Sequence, residues 1–133
     1  DHSRGATGHS DADVLIHAIC DALLGAANLN DIGYHFSDKD PACKNIDSKI
    51  LLRQVVDLIG DKGYRIGNID STIVLQSPKI AAYIPQMKAT LSETMKIDQE
   101  QISVKATTTE HLGFAGREEG VAAYAVSLIE TKD

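Results

Sequence analysis

An α+β domain is predicted by three features: apolar residues at helical spacing in three stretches, alternating or continuously apolar runs in three others, and a 133-residue length suited to one core. Helices and strands interleave along residues 1–133 in a single domain; the sheet is expected to be mainly antiparallel, with helices packed on one face.

The first helix is expected from about Asp11 or Asp13 to Ala27, with Val14, Leu15, Ile19, Ala22, Leu23 and Ala26 recurring at helical spacing. Ser10 or Asp11 would cap it, and Asn28, Asn30, Asp31 and Gly33 end it. A second helix runs from about Asp47, a good N-cap before Ser48 and Lys49, to Asp61. It is expected to bury Ile50, Leu51, Val55, Leu58 and Ile59 and to stop at Gly63. Tyr64 to Leu75 reads as a strand interrupted near Gly67 and Asn68. A third helix, roughly Ala81 to Met95, sets Ile84, Met87, Leu91 and Met95 on one side. Pro85 then lies in its first turn, where a missing N–H does no harm. Ile102 to Thr108 and Gly120 to Ile129 are the last strands. In the second of these, Val121, Ala123, Ala125 and Ser127 face opposite to Ala122, Tyr124, Val126 and Leu128. Because Ala122 to Val126 is apolar on both faces, this strand is expected to be covered on both sides.

A hydrophobic fraction of 43% with 24% charged residues is ordinary for a globular chain, and no apolar run approaches the ~18 residues of a membrane span. The formal net charge of -6 argues against nucleic acid and against an anionic membrane, both of which favour a basic surface. An anionic substrate must then be held locally, by metals, helix N-termini or a few placed cations. Cys20 and Cys43 form neither a CxxC pair nor a disulfide framework; they read as reduced thiols of a cytoplasmic protein, with Cys20 a core filler.

Polar chemistry gathers in a few segments. On a helix, Asp13, His17 and Asp21 stack at spacing four, so two carboxylates can flank and orient one imidazole; a solvated helix face has the same pattern. His9 and Ser10 stand just before the expected helix, where they suit either an anion site or simple capping. Asp31-Ile32-Gly33 marks a turn, and Phe36-Ser37-Asp38-Lys39-Asp40 follows it. Leu75-Gln76-Ser77-Pro78-Lys79-Ile80-Ala81 leaves a strand for a helix. Lys105 to Glu110 offers strand-end hydroxyls to phosphate and one carboxylate to a hard cation.

Together these motifs resemble the 2-C-methyl-D-erythritol 2,4-cyclodiphosphate synthase family of the non-mevalonate isoprenoid pathway, over Gly8 to about Ile129. The resemblance implies a homotrimer with active sites between subunits. It implies a lyase that turns 4-diphosphocytidyl-2-C-methyl-D-erythritol 2-phosphate into the 2,4-cyclodiphosphate and CMP, using Zn2+ together with Mg2+ or Mn2+. By resemblance His9 and Thr108 are catalytic, and His9, Ser10, Thr107, Thr108 and Thr109 meet the phosphates. Asp31, Ile32 and Gly33 hold the ribose, with Phe36, Ser37, Asp38, Lys39 and Asp40 beside the substrate. Leu75, Gln76, Ser77, Pro78, Lys79, Ile80 and Ala81 wrap the cytosine. His17 falls on a zinc ligand and Glu110 on the magnesium ligand, while Phe114 and Arg117 resemble residues near the trimer axis, where phosphate or an isoprenoid diphosphate sits.

The family's other zinc ligands form an Asp-x-His pair on an N-terminal strand segment. Asp1 and His2 are adjacent and do not match it, so the chain is expected to lack that segment and to hold zinc poorly as it stands. A plastid location is the expectation if the source is a plastid-bearing eukaryote. Two other classes use similar polar loops and stay open from sequence: a metal-dependent phosphohydrolase, and a non-catalytic trimeric module binding nucleotides or isoprenoid diphosphates.

Overall fold

The computed structural model describes residues 2–37, 39–40, 46–75, 80–108 and 121–133, with residues 2–11 as backbone only. Helix α1 spans His2–Ala26 and buries Leu15, Ile16, Ile19, Cys20, Leu23 and Leu24. Its inward stripe is broader than expected: Ile16, Cys20 and Leu24 join it, whereas Val14 and Ala22 are half-buried and Ala26 is exposed. It also begins well before Asp11. No proline interrupts residues 2–13, and each added residue gains a helical hydrogen bond once the apolar stretch has formed. Ser10 and Asp11 therefore lie inside the helix and are not its caps.

The chain leaves α1 through Asn28 and Asn30 at φ of 58° and 74°, a region asparagine tolerates better than most residues. A single turn, α2 (Ile32–His35), follows. Helix α3 (Ser48–Asp61) starts on Asp47, whose side chain accepts the Lys49 N–H at 2.8 Å, as expected. Leu51, Leu52, Val55 and Ile59 form its buried stripe. Ile50 is 52% exposed and Leu58 half-buried, a correction that follows from their position off that stripe. Gly63 ends the helix at φ +99°, where a Cβ would be strained.

Strand β1 covers Tyr64–Val74, and its register slips between Ile66 and Asn68, where the interruption was expected. A Cβ on Gly67 would meet the Leu128 carbonyl at 3.1 Å, so the bulge requires glycine's close approach. After a 3-10 turn over Ala81–Tyr83, α4 runs Ile84–Met95 with Pro85 in its first turn; Met87, Leu91 and Met95 are buried and Ile84 is half-buried. Strands β2 (Ile102–Thr107) and β3 (Ala122–Thr131) complete the sheet.

The sheet order is β2-β1-β3, with β2 parallel and β3 antiparallel to β1. It is mixed, and the expectation of a mainly antiparallel sheet is corrected. The reason is α4: a helix inserted between two strands returns the chain to its starting end, which makes the next strand parallel. All helices pack on one face. Ile69, Ile73, Ile102 and Val104 are buried there, and Ser127 Oγ donates to the Ala22 carbonyl at 3.0 Å. On the other face Tyr124, Val126 and Leu128 are each about two-thirds exposed, so within one chain β3 is not covered on both sides. No helix among the described residues is long and apolar enough to cross a membrane.

Candidate functional site

Parallel pairing places two of the motif-bearing segments side by side. Val74 pairs with Thr107, and the Leu75 N–H donates to the Thr107 carbonyl at 3.0 Å. The segment Leu75–Ala81 and the segment from Thr107 onward therefore leave adjacent strands at the same end, and Ala122 brings the chain back opposite Val74. Carboxyl ends of neighbouring parallel strands are where open sheets commonly bind ligands. Leu75 and Ile80 are buried and anchor the two ends of the first segment, while Ala81, Thr107 and Thr108 are exposed. Gln76, Ser77, Pro78, Lys79, Thr109, Glu110, Phe114 and Arg117 lie outside the described residues, as do Asp38 and Cys43.

The Asp31-Ile32-Gly33 turn is built from the end of α1. Asp31 caps α2 by accepting the Tyr34 N–H at 3.0 Å, and Asp21 accepts the Ile32 N–H at 2.9 Å. The Phe36 N–H closes the turn on the Ile32 carbonyl at 2.7 Å, and the His35 ring hydrogen-bonds the Leu29 carbonyl. Phe36 packs against the core. Beyond it Ser37 organises a tight turn, its Oγ accepting the Lys39 N–H at 3.2 Å and its carbonyl the Asp40 N–H at 3.0 Å; Lys39 and Asp40 are exposed. Asp21, which the spacing allows to flank His17, accepts the N–H of Ile32, eleven residues away, a pairing that helical spacing does not reveal.

His17 is exposed on α1, one turn before Asp21. Among the described residues no three His, Cys, Asp or Glu side chains gather to hold a metal, so those residues do not by themselves complete a zinc site. His9 and Ser10 lie within α1, not ahead of it, so neither stands at a helix start as the sequence suggested. Next to this face, burial, with the Asp21 charge adding to it, pushes the Cys20 thiol from 9.0 up to about 12; it is an inert core group, as expected.

The two halves of the candidate site are apart. Asp21 neighbours Ala22, which bonds Ser127, and Ser127 pairs with Ile69. Leu75 lies just past the end of β1, on the order of 20 Å along the strand direction from that level at ~3.3 Å per residue. A cavity of about 280 Å3 opens between α1, α3 and α4, lined by Asp13, Asp47, Lys49, Tyr83 and Met87 among others. Of the residues singled out in the sequence, Asp13 lines it; among the described residues, none of those assigned to substrate or metal does.

Residues 1–130 match the YgbB family. The chain is 64% identical over 130 residues to 2-C-methyl-D-erythritol 2,4-cyclodiphosphate synthase of Bacteroides thetaiotaomicron, covering 98% of this chain and 82% of that protein. It is 60% identical over 129 residues to the protein of the same name from Porphyromonas gingivalis W83, covering 97% and 80%. Among solved structures it resembles the bifunctional IspDF of Campylobacter jejuni at a TM-score of 0.86 and 42% identity, over 90% of this chain and 32% of that longer one. The CDP complex of Plasmodium falciparum IspF superposes with a TM-score of 0.79 at 35% identity, over 90% of this chain and 72% of that one.

Proposed function

The chain belongs to the YgbB family, and we propose from this premise how its residues carry the reaction named for its relatives. It is an enzyme, a lyase of non-mevalonate isoprenoid biosynthesis, which forms 2-C-methyl-D-erythritol 2,4-cyclodiphosphate. An oxygen of the substrate's 2-phosphate attacks the β-phosphorus of its own cytidine diphosphate group. A new P–O bond closes the ring as the bond from the β-phosphorus to the bridging oxygen breaks, and its electron pair leaves with CMP.

No protein nucleophile is needed, so the chain's task is to fold the substrate in line and offset repulsion between phosphates. The observation that carries this reading is the Val74–Thr107 pairing, which supports a shared exit for the base-binding and phosphate-binding segments. We assign the cytosine to Leu75–Ala81, with Lys79 beside it, and the phosphates to Thr107, Thr108, Thr109, His9 and Ser10. The ribose goes to the Asp31-Ile32-Gly33 turn, flanked by Phe36–Asp40. Cytidine then acts as a remote handle that fixes orientation at the reacting phosphorus.

Enzymes of this family are metal-dependent. We assign His17 to zinc and Glu110 to magnesium or manganese; bound there, the ions would offset the charge of the phosphates. A homotrimer with intersubunit sites is supported by the exposed Tyr124, Val126 and Leu128 face, an apolar patch on the open side of the sheet. Phe114 and Arg117 are then placed near the axis, where Arg117 suits phosphate or an isoprenoid diphosphate.

Phosphorus NMR of the product mixture tests the reaction. Cyclodiphosphate and CMP in equal amounts are expected; inorganic phosphate would make the protein a phosphohydrolase, and nucleotide binding without turnover a binding module.

A further inference from the structure

We propose that Asp21 is a positioning residue that holds the ribose-binding turn on the helix carrying His17. The inference rests on the assignment of Asp31-Ile32-Gly33 to the ribose. Ile32 is the first residue of α2, and its N–H is one of the donors that a helix start leaves without a partner inside the helix. Two carboxylates divide that first turn. Asp31 takes the Tyr34 N–H at 3.0 Å from within the turn, and Asp21 takes the Ile32 N–H at 2.9 Å from α1.

The Asp31 bond shapes the turn but does not place it, because both partners belong to the same short segment. Asp21 ties the segment to a long helix whose next turn back carries His17; Phe36 packing and the His35–Leu29 bond hold the far end of the turn, and the Asp21 bond fixes its Ile32 end. Asn28 and Asn30, both at positive φ between α1 and α2, let the chain reverse but do not anchor it. Asp21 and Asp31 are both exposed, so water can replace the lost acceptor and the fold loses little when Asp21 is removed. What is lost is the fixed position of the Asp31 carboxylate and the Gly33 backbone, which substrate must then order on binding.

The test compares Asp21→Ala, Asp21→Asn and Asp31→Ala for CMP affinity, KM, kcat, thermal midpoint and metal content. Asp21→Ala is expected to weaken CMP binding and raise KM on the order of tenfold, the size of one hydrogen bond to a charged group, with a midpoint and metal content close to the parent's. Asp21→Asn keeps an oxygen acceptor and is expected to bind CMP nearly as the parent does. In the double variant Asp21→Ala should add little to Asp31→Ala, since both act through one turn. CMP affinity lost in Asp31→Ala but retained in Asp21→Ala overturns the positioning role alone. Asp21→Asn as defective as Asp21→Ala overturns it too, because the effect would then belong to charge. Unchanged affinity in Asp31→Ala overturns the ribose assignment and the proposal with it.

Discussion

Lys105 Nζ lies 3.1 Å from the Asp70 carboxylate across the parallel strands β1 and β2, and both side chains are about half exposed. Asp70 pairs with Val126 on its other side, so the ion pair shares the open sheet face with Tyr124, Val126 and Leu128. An apolar patch edged by one ion pair is a surface suited to a neighbouring copy, and an isolated pair at this exposure contributes only about 0–1 kcal/mol to the monomer.

Sedimentation equilibrium should accordingly find a trimer at micromolar concentration. Val126→Glu introduces an unpaired charge at the centre of that face and should shift the population to monomer with loss of turnover. A stable monomer in the parent protein would rule out a site shared between subunits.

Lys79→Ala should weaken CMP binding by about tenfold, or ~1.4 kcal/mol, and leave metal content alone. Calorimetric titration with CMP checks it, and unchanged affinity would undo the assignment of Lys79 to the nucleotide.

Glu110→Ala should lower kcat by at least about 100-fold, roughly 2.7 kcal/mol of barrier, while CMP affinity changes little. The reasoning is that a magnesium ligand serves the phosphates undergoing reaction and not the cytosine. Equal losses in turnover and affinity would argue for misfolding or for a different role.

In protein carrying the family's Asp-x-His pair, His17→Ala should reduce the zinc retained after dialysis, with the helical circular dichroism signal preserved, because His17 is exposed and its removal opens no core cavity. Elemental analysis decides it. Full zinc retention by His17→Ala would leave His17 as an ordinary surface residue of α1.

Cys20 gives a pH dependence. Between the thiol's ordinary value of 9.0 and about 12 in the fold, the unfolded chain releases a proton that the native one keeps. This contribution to stability is complete below pH 9.0 and declines as pH rises through that window. Denaturant midpoints measured from pH 8 to 11 should fall less steeply in Cys20→Ala than in the parent; identical slopes would contradict a buried, neutral thiol.

Local chemistry decided much of the fold, and the sequence displayed it. Asp47 as a cap, Gly63 as a stop, the interruption at Gly67 and Pro85 in a first turn each act through neighbours a few residues away, so residue type and spacing suffice to place them. The motifs also carry the family resemblance, which the YgbB match over residues 1–130 bears out. Tertiary structure alone decided what depends on distant partners. The parallel pairing of Val74 with Thr107, which makes the sheet mixed and sets two motif-bearing segments side by side, follows from where α4 docks. Ile50 faces water because the α3 stripe is selected by the elements packed on it. Asp21, which spacing merely allows beside His17, serves Ile32 because the chain reverses at Asn28 and Asn30 and brings a free backbone donor to its carboxylate. Periodicity reports which face of an element is apolar, but the partner of a polar group is set by which segments meet, and that meeting exists only in the folded chain.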